Sequence, residues 1–546
     1  MNKMPHNTKK FSYLIVLLCS VFLISCRTVK QPSSVAEHLN YSDEDIVKNE
    51  IERIDGFLEN EPVRALWRAS LLGKEEVLER CFNKVQDLLE KSLEEKNYLD
   101  AKKYYKSLHA VKPEWKLEGY SYSQIEKLAA ADVPGLSSSS NKKAPSKISE
   151  CMHAAVTIWV DRGVTVKNGA GYADVIIGSG FFIDERGYIV TNHHVIDSMV
   201  NPKYEGYVRL YIKLLDDNLT KIPAKVVGYD SLLDLALLKV EITPEYVLDL
   251  GSSDDLEIGD KISAIGTPVG LEGTLTSGII SSFDRKLLSI GNVFQIDAAV
   301  NSGNSGGPLI DQNLKVQAIV FAGMLQLQGL NFAIPVEYLK QELGALYGRG
   351  EIIHTWTGCF GNTKREGGKK IGLEVHYVLP GGSGFMAGLV PGDIITTLDG
   401  KPITSNDDFN FLLMGYEYET ILECGYTDTN GQAKTCLLYL DKRPENPSLT
   451  IFDSDLLMNS FVPLFGMKLI PSSTTNRNSY TIEKIIPGSA ADDMSFSEND
   501  TVTVLSVNVD QNLKGIITAL STKRKKKAFL DVTINLGTSF DGPYYF

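Results

Sequence analysis

The spacing of apolar positions changes along this chain, and the changes divide it. From about Ser42 to Ala131 the spacing is helical. Val77, Leu78, Cys81, Phe82, Val85, Leu88 and Leu89 recur at i, i+3, i+4 and i+7 and form one apolar stripe. A second helix is predicted over Lys96 to Pro113. Between Val133 and Lys147 the pattern lapses into Pro-Gly, a run of serines, paired lysines and Pro145, the composition of a linker. Beyond it, short β-runs dominate: Ala155 to Val160, Asp174 to Ile177, Gly180 to Ile183, Tyr188 to Thr191 and Val208 to Leu214. Turn residues separate them at intervals of about 8 to 12, which predicts an antiparallel barrel or sandwich. Two further apolar runs, Phe294 to Val300 and Val316 to Ala322, read as buried strands on either side of a turn of small residues.

The N-terminus reads as an address and not as fold. Lys3, Lys9 and Lys10 precede an apolar run, Phe11 to Ile24, that is short for a membrane-spanning helix. It ends in Leu23-Ile24-Ser25-Cys26, which resembles the lipobox of bacterial lipoproteins. That resemblance implies a signal peptide over 1–25, a lipidated Cys26 and a tether over 26–41. The mature protein would then sit in the cell envelope, held to a membrane and facing the periplasm or exterior. The helical region, 42–132, contains a segment similar to the second helix of a tetratricopeptide repeat, with Ala101, Tyr105 and Pro113 in matching places. One unit is too few for a solenoid, so a plain helical hairpin is the simpler reading.

At 546 residues the chain has room for about three to five domains. A formal net charge of -13 and a pI near 5.3 argue against nucleic acid as a partner. The basic run Lys523 to Lys527 reads as a solvated strand end or loop. Beyond the signal, Cys81, Cys151, Cys359, Cys424 and Cys436 show no C-x-x-C spacing, so no zinc site is expected, nor any cofactor. Cys424 and Cys436 fall on adjacent predicted strands, and whether they pair is left open.

The turn between the two buried runs is Asn301-Ser302-Gly303-Asn304-Ser305-Gly306-Gly307-Pro308. Taken alone it is equally a Gly-rich hairpin with a structural serine and a nucleophile at a turn tip. Acyl transfer needs an exposed hydroxyl and preorganised N–H donors for the developing oxyanion, and such a turn can supply both. Upstream, Thr191-Asn192-His193-His194-Val195 places two histidines at a strand end, where either could act as a general base. Asp234 opens the apolar strand Leu235 to Val240, and a carboxylate there needs a hydrogen-bonding or cationic partner.

Gly-Ser-Gly-Phe at 178–181, Thr-Asn-His-His-Val, Asp-Leu-Ala-Leu-Leu-Lys-Val at 234–240 and Gly-Asn-Ser-Gly-Gly-Pro-Leu at 303–309 together resemble the HtrA (Deg) family. These are trypsin-like serine proteases followed by PDZ domains. The resemblance implies a mainly β fold with two six-stranded antiparallel barrels over 150–349, and a catalytic set of His194, Asp234 and Ser305. It implies oxyanion donors from the backbone of Gly303, Asn304 and Ser305. Ala299, six residues before the nucleophile, would floor a specificity pocket shared with Val320 and Phe321. With no charge at its base, that pocket suits small or medium apolar side chains. Met324 to Gly329 would be a short specificity loop. Asn304 stands where digestive members carry an aspartate that pairs with a freed N-terminus, so activation by clipping is not expected.

After Gly350 the chain resembles an HtrA-type PDZ domain, 350–445. Its carboxylate-binding loop is expected at Lys370, Ile371, Gly372 and Leu373, with a flanking helix over Asn406 to Met414. Residues 455–546 read as a degenerate second PDZ-like domain with a second such loop expected at Leu464 to Met467. The resemblance implies an envelope serine endopeptidase acting on misfolded or unfolded polypeptides, with peptide C-termini at the PDZ domain and a homo-trimeric assembly. The alternative is a lipid-anchored chaperone or peptide-binding scaffold with weak or conditional proteolysis.

Overall fold

The computed structural model describes residues 44–136, 143–217, 219–266, 273–301, 303–323, 330–472, 478–525 and 529–542. The expected signal peptide and lipidated Cys26, Ser302 and the expected specificity loop 324–329 lie outside them. Among the described residues, no helix is long and apolar enough to cross a membrane.

Five helices open the described chain: α1 (Glu44–Phe57), α2 (Pro62–Leu72), α3 (Glu75–Glu94), α4 (Tyr98–Val111) and α5 (Tyr122–Ala130). The stripe predicted for α3 is its inner face, with Val77, Cys81, Phe82, Val85 and Leu89 buried. Asn97 caps α4, and Ser121 with Gln124 closes a capping box on α5. This unit is more than a hairpin, and its apolar interior continues into the first PDZ domain through Met386, Ile421 and Tyr439. Trp67 Nε1 donates to the Leu437 carbonyl at 2.8 Å, and Trp67 stacks on Tyr439. Arg64 pairs with Asp441, and the Ile421 N–H donates to Ser107 Oγ at 3.0 Å.

Part of the expected linker is core. Val133 is buried with the protease residues, and Gly135 lies against Ile183 and Leu343. After α6 (Ile148–Ala154) come β1 (Ala155–Lys167), β2 (Ala170–Asp184), β3 (Tyr188–Thr191), α7 (His193–Val200), β4 (Arg209–Leu214), β5 (Ile222–Asp230) and β6 (Leu235–Val240). These strands close a barrel in the order β1-β2-β3-β6-β5-β4. The two strands expected at Asp174–Ile177 and Gly180–Ile183 are one strand, β2, whose register with β1 runs unbroken through Gly178 and Ser179. Gly178 is small for packing and not for turning: a Cβ there would sit 2.7 Å from both Val195 methyls.

The second barrel contains β7 (Lys261–Gly266), β8 (Thr274–Arg285), β9 (Val293–Ile296), β10 (Pro308–Ile310), β11 (Val316–Gly323) and β12 (Asn331–Pro335), in the order β10-β11-β12-β9-β8-β7. The run Phe294 to Val300 leaves the ladder at Ile296. Side chains then hold the backbone: Asp297 Oδ1 accepts from the Ile279 N–H, Asn331 Nδ2 donates to the Ala298 carbonyl and Thr276 Oγ1 to that of Ala299. Helix α8 (Val336–Arg349) lies across both barrels, burying Val336, Leu339, Leu343 and Leu346.

The next unit holds β13 (Thr355–Trp356), β14 (Cys359–Glu366), β15 (Lys369–Val378), α9 (Ser383–Met386), β16 (Ile394–Leu398), β17 (Lys401–Pro402), α10 (Asn406–Met414), β18 (Ile421–Thr427), β19 (Ala433–Tyr439) and β20 (Asp441–Lys442). Its main sheet runs β14-β15-β16-β18-β19. This order corrects the expected carboxylate loop. Lys370, Ile371, Gly372 and Leu373 are not a loop but part of β15, paired to β14 through Arg365↔Lys370 and Lys364↔Gly372. On its other edge β15 meets β16 at Leu373↔Ile395. Its β14 edge is thus already paired along Lys370 to Leu373, and from Leu373 onward the other edge is paired as well. The outer strand beside α10 is β14, entered through Gly358, whose φ of 69° is left-handed. Cys424 and Cys436 face each other across β18 and β19, and both are free thiols.

The last unit comprises α11 (Pro447–Ser454), α12 (Leu457–Phe465), β21 (Met467–Pro471), β22 (Ser479–Ile485), α13 (Ala490–Asp493), β23 (Thr501–Asp510), β24 (Gly515–Lys525) and β25 (Phe529–Ser539), with the strands in sequential order. Leu464 and Phe465 are not loop residues: they end α12, buried, with Gly466 as a left-handed cap. Where the preceding domain places α10, β23 turns directly into β24 at Asp510↔Gly515. The usual helical wall of a PDZ groove is therefore replaced by a hairpin.

Candidate active site

Asp234 stands at the turn between β5 and β6 with φ 55°, a left-handed conformation that aspartate tolerates better than most side chains. The turn aims its largely buried carboxylate at the first turn of α7. Oδ2 lies 2.6 Å from His194 Nδ1, and Oδ1 accepts from the His194 N–H at 2.7 Å. The Asp234 carbonyl accepts from Asn192 Nδ2 at 2.9 Å and from the His193 N–H at 3.2 Å. One carboxylate thus fixes both the backbone and the ring of His194, while the far side of the imidazole stays open, the side chain being 47% exposed.

The two adjacent histidines are separated by this arrangement. His193 stacks on Tyr229, with ring centroids 5.2 Å apart. Burial pushes its pKa down, against the pull of Asp234, Asp197 and Asp230.

Ser305 comes from the second barrel, in the turn leading into β10. Its Oγ donates to the Phe321 carbonyl at 3.2 Å; among the described residues it makes no hydrogen bond to His194. The turn is braced from the first barrel by a residue that sequence reasoning passed over. Ser179 Oγ donates to the Gly303 carbonyl at 2.6 Å, and the Ser179 N–H donates to the Ser305 carbonyl at 2.8 Å. Thr191 Oγ1 in turn donates to the Ser179 carbonyl at 2.7 Å. The only available signal was Gly178-Ser179-Gly180 itself, which reads as a turn from composition. Gly306, at φ 85°, has no room for a Cβ beside the Ser179 carbonyl and Thr191 Oγ1.

Asn304 is buried, and its side chain points inward against Gly266. Gly303 has a φ of 103°. Ala299 is exposed at the end of the 297–299 segment. Val320 is fully buried, and its backbone is committed to the serine turn: Gly306 N–H donates to its carbonyl at 2.8 Å and its own N–H donates to Gly307 at 2.9 Å. Phe321 is half-buried and contributes the carbonyl that Ser305 bonds. Both backbone groups of Val320 are thus occupied in this arrangement.

Elsewhere, a cleft runs between Thr357, Cys359 and Phe360 at the start of β14 and Asn406, Phe409 and Leu413 of α10. It abuts the protease segment 286–292, where Asn292 Nδ2 donates to Asp407 at 3.2 Å.

Residues 178–319 match a trypsin-like peptidase domain, 448–540 the TP0546 family PDZ domain and 45–129 a domain family of unknown function. A probable periplasmic serine endoprotease DegP-like protein of Marinomonas sp. (strain MWYL1) is 30% identical over 347 residues, which cover 60% of this chain and 71% of that protein. The protein of the same description from Bartonella henselae is 31% identical over 372 residues, 65% of this chain and 72% of its own. The one from Pseudomonas fulva is 35% identical over 249 residues, 43% of this chain and 50% of its own. A crystal structure of the serine endoprotease from Yersinia pestis aligns at 27% identity with a TM-score of 0.41, covering 55% of this chain and all of that one. Aligned with DegP-like proteins over more than two thirds of their length and built on the trypsin-like pair of closed barrels, the chain belongs to the HtrA/DegP family of serine endoproteases.

Proposed function

We propose that the chain cleaves misfolded or unfolded polypeptides in the cell envelope through a His194–Asp234–Ser305 triad. The observation that carries this reading is the paired hold of Asp234 on His194, at 2.6 and 2.7 Å, opposite a serine in a braced turn. In the reaction, Ser305 Oγ attacks the scissile carbonyl while the open Nε2 of His194 takes its proton. Asp234 keeps the Nδ1–H tautomer and stabilises the imidazolium. The backbone N–H groups of Gly303 and Ser305 receive the oxyanion, while that of Asn304 donates to the Asn301 carbonyl at 3.0 Å. His194 then protonates the leaving amine, and water releases the acyl group from Ser305 by the same steps in reverse. A pocket floored by Ala299 favours small or medium apolar side chains.

The Ser305 hydroxyl must first leave the Phe321 carbonyl and turn toward His194. That single contact favours a second, conditional form of the reading: a scaffold whose proteolysis is off until a ligand resets the turn. For peptide C-termini we assign the cleft between β14 and α10 of the first PDZ domain. A peptide there would lie next to segment 286–292 of the protease. The family's periplasmic members and the lipobox at Cys26 support an envelope location with a membrane anchor. A trimer remains part of this reading through family membership alone.

The test is casein cleavage by the purified mature protein and by Ser305→Ala, across temperatures and with C-terminal peptides added. Wild type should cleave and the variant should not. If both are equally inert under every condition, the protease reading fails.

A further inference from the structure

Away from the active site, three side chains converge in the interior: Asp230 at the end of β5, Glu342 of α8 and His354 just before β13. All three are buried, and one ligand atom from each lies within 4.8 Å of the others. His354 Nε2 is 2.8 Å from Asp230 Oδ2. The other Asp230 oxygen is already taken, since Oδ1 accepts from the N–H groups of Leu232 and Leu233 at 2.8 and 3.1 Å. Glu342 is 1% exposed, and its Oε1 has no hydrogen-bond partner among the described residues. A carboxylate so placed is costly unless it holds a proton or faces a cation. Beside it opens a cavity of about 300 Å³ to which Glu342 and His354 both contribute.

We propose that Asp230, Glu342 and His354 form a zinc-binding site. One imidazole and two carboxylates are ligand types that Zn²⁺ accepts, and the cavity leaves a fourth position for water. Metal–ligand bonds of about 2.0–2.2 Å require ligand atoms about 3.3–3.6 Å apart in a tetrahedron. The His354–Asp230 contact needs to open by less than an ångström to reach this. The two carboxylates offset the ion's charge, so the occupied site is electrically neutral in the interior. Ca²⁺ and Mg²⁺, which seek six or more oxygens, fit poorly.

The site joins two parts of the chain that already touch: the Tyr229 N–H donates to Gly350 at 2.7 Å and the Ile352 N–H to Tyr229 at 2.9 Å. A zinc ion here would bolt the entry to the first PDZ domain onto the loop that carries Asp234.

The test uses the full mature chain, reduced, stripped with a chelator, and dialysed against ZnCl₂ before metal analysis, with calorimetric titration in parallel. A single zinc per chain is expected, together with a rise in melting temperature. Glu342→Gln keeps the shape of the side chain and should preserve the metal-free fold. It should weaken zinc by more than the about 10- to 100-fold that losing an outer partner of a ligand costs. His354→Gln should do the same. Absence of stoichiometric zinc in the wild type, or wild-type binding by Glu342→Gln, overturns the proposal. Neither readout depends on proteolysis, so the result stands whatever casein shows.

Discussion

The hydroxyl of Ser179 donates to the carbonyl oxygen of Gly303 at 2.6 Å, from one barrel to the other. Its removal leaves that buried carbonyl without its partner, at a cost of about 1–3 kcal/mol. Ser179→Ala should therefore lower kcat/KM by about tenfold or more while the barrels stay folded. The measurement is turnover of a fluorogenic peptide alongside thermal melting. Turnover within twofold of wild type would show that the brace does not set the working shape of the turn.

Asp234→Asn separates geometry from charge. Asparagine tolerates the left-handed backbone at this position, and its amide matches the carboxylate in size. The ring of His194 should then face an N–H donor or the wrong tautomer, and kcat should fall by about 10⁴. Near-wild-type kcat in this variant contradicts the triad.

Gly228→Ala tests the seating of α8. A Cβ at residue 228 would collide with the Leu346 and Gly350 carbonyls at the end of that helix. The helix must shift away from β5, opening the core around Leu343 and Leu346. Destabilisation of about 1–3 kcal/mol is expected, read as a fall in the denaturant midpoint. An unchanged midpoint means that the helix end is free to relax.

A fourth expectation concerns acid. His376 on β15 is pushed down to about 4, first by burial and then by Lys484 and Lys364, against Glu374. Its ordinary value is about 6.5. As pH falls below that, the unfolded chain takes a proton that the folded chain refuses, so stability drops until about pH 4. His376→Gln should flatten this limb of the stability curve between pH 6.5 and 4. Equal slopes for variant and wild type would remove His376 as its source.

Much of the candidate site could be read from local sequence. The turn 301–308 carries its own chemistry, and the order His194, Asp234, Ser305 follows from short motifs. The strand Tyr188–Thr191 and the helix Asn406–Met414 are folded over the residues expected. These are segments whose periodicity or cap lies within themselves, as with Ser405 and Asp408 at the helix start. The misreadings share one cause. Gly178-Ser179 resembles a turn because glycine marks turns, but its neighbour across space is Val195. Lys370 to Leu373 is expected as a loop from the PDZ resemblance, but these residues pair with β14 as part of β15. The helical unit resembles a free hairpin, but Trp67 and Ser107 bond the first PDZ domain.

The amino-acid sequence by itself determined the fold class, the family and the serine turn as a candidate nucleophile, because each rests on patterns within a few residues. It also placed two histidines side by side, and the family resemblance singled out His194 where the residue types alone did not. Tertiary structure brings the carboxylate of Asp234 to within 2.6 Å of the His194 ring. It decided which sheet edge of the first PDZ domain is open, and it brought Asp230, Glu342 and His354 together. Strand pairing and side-chain convergence depend on residues 40 to more than 120 positions apart, and no local pattern encodes them.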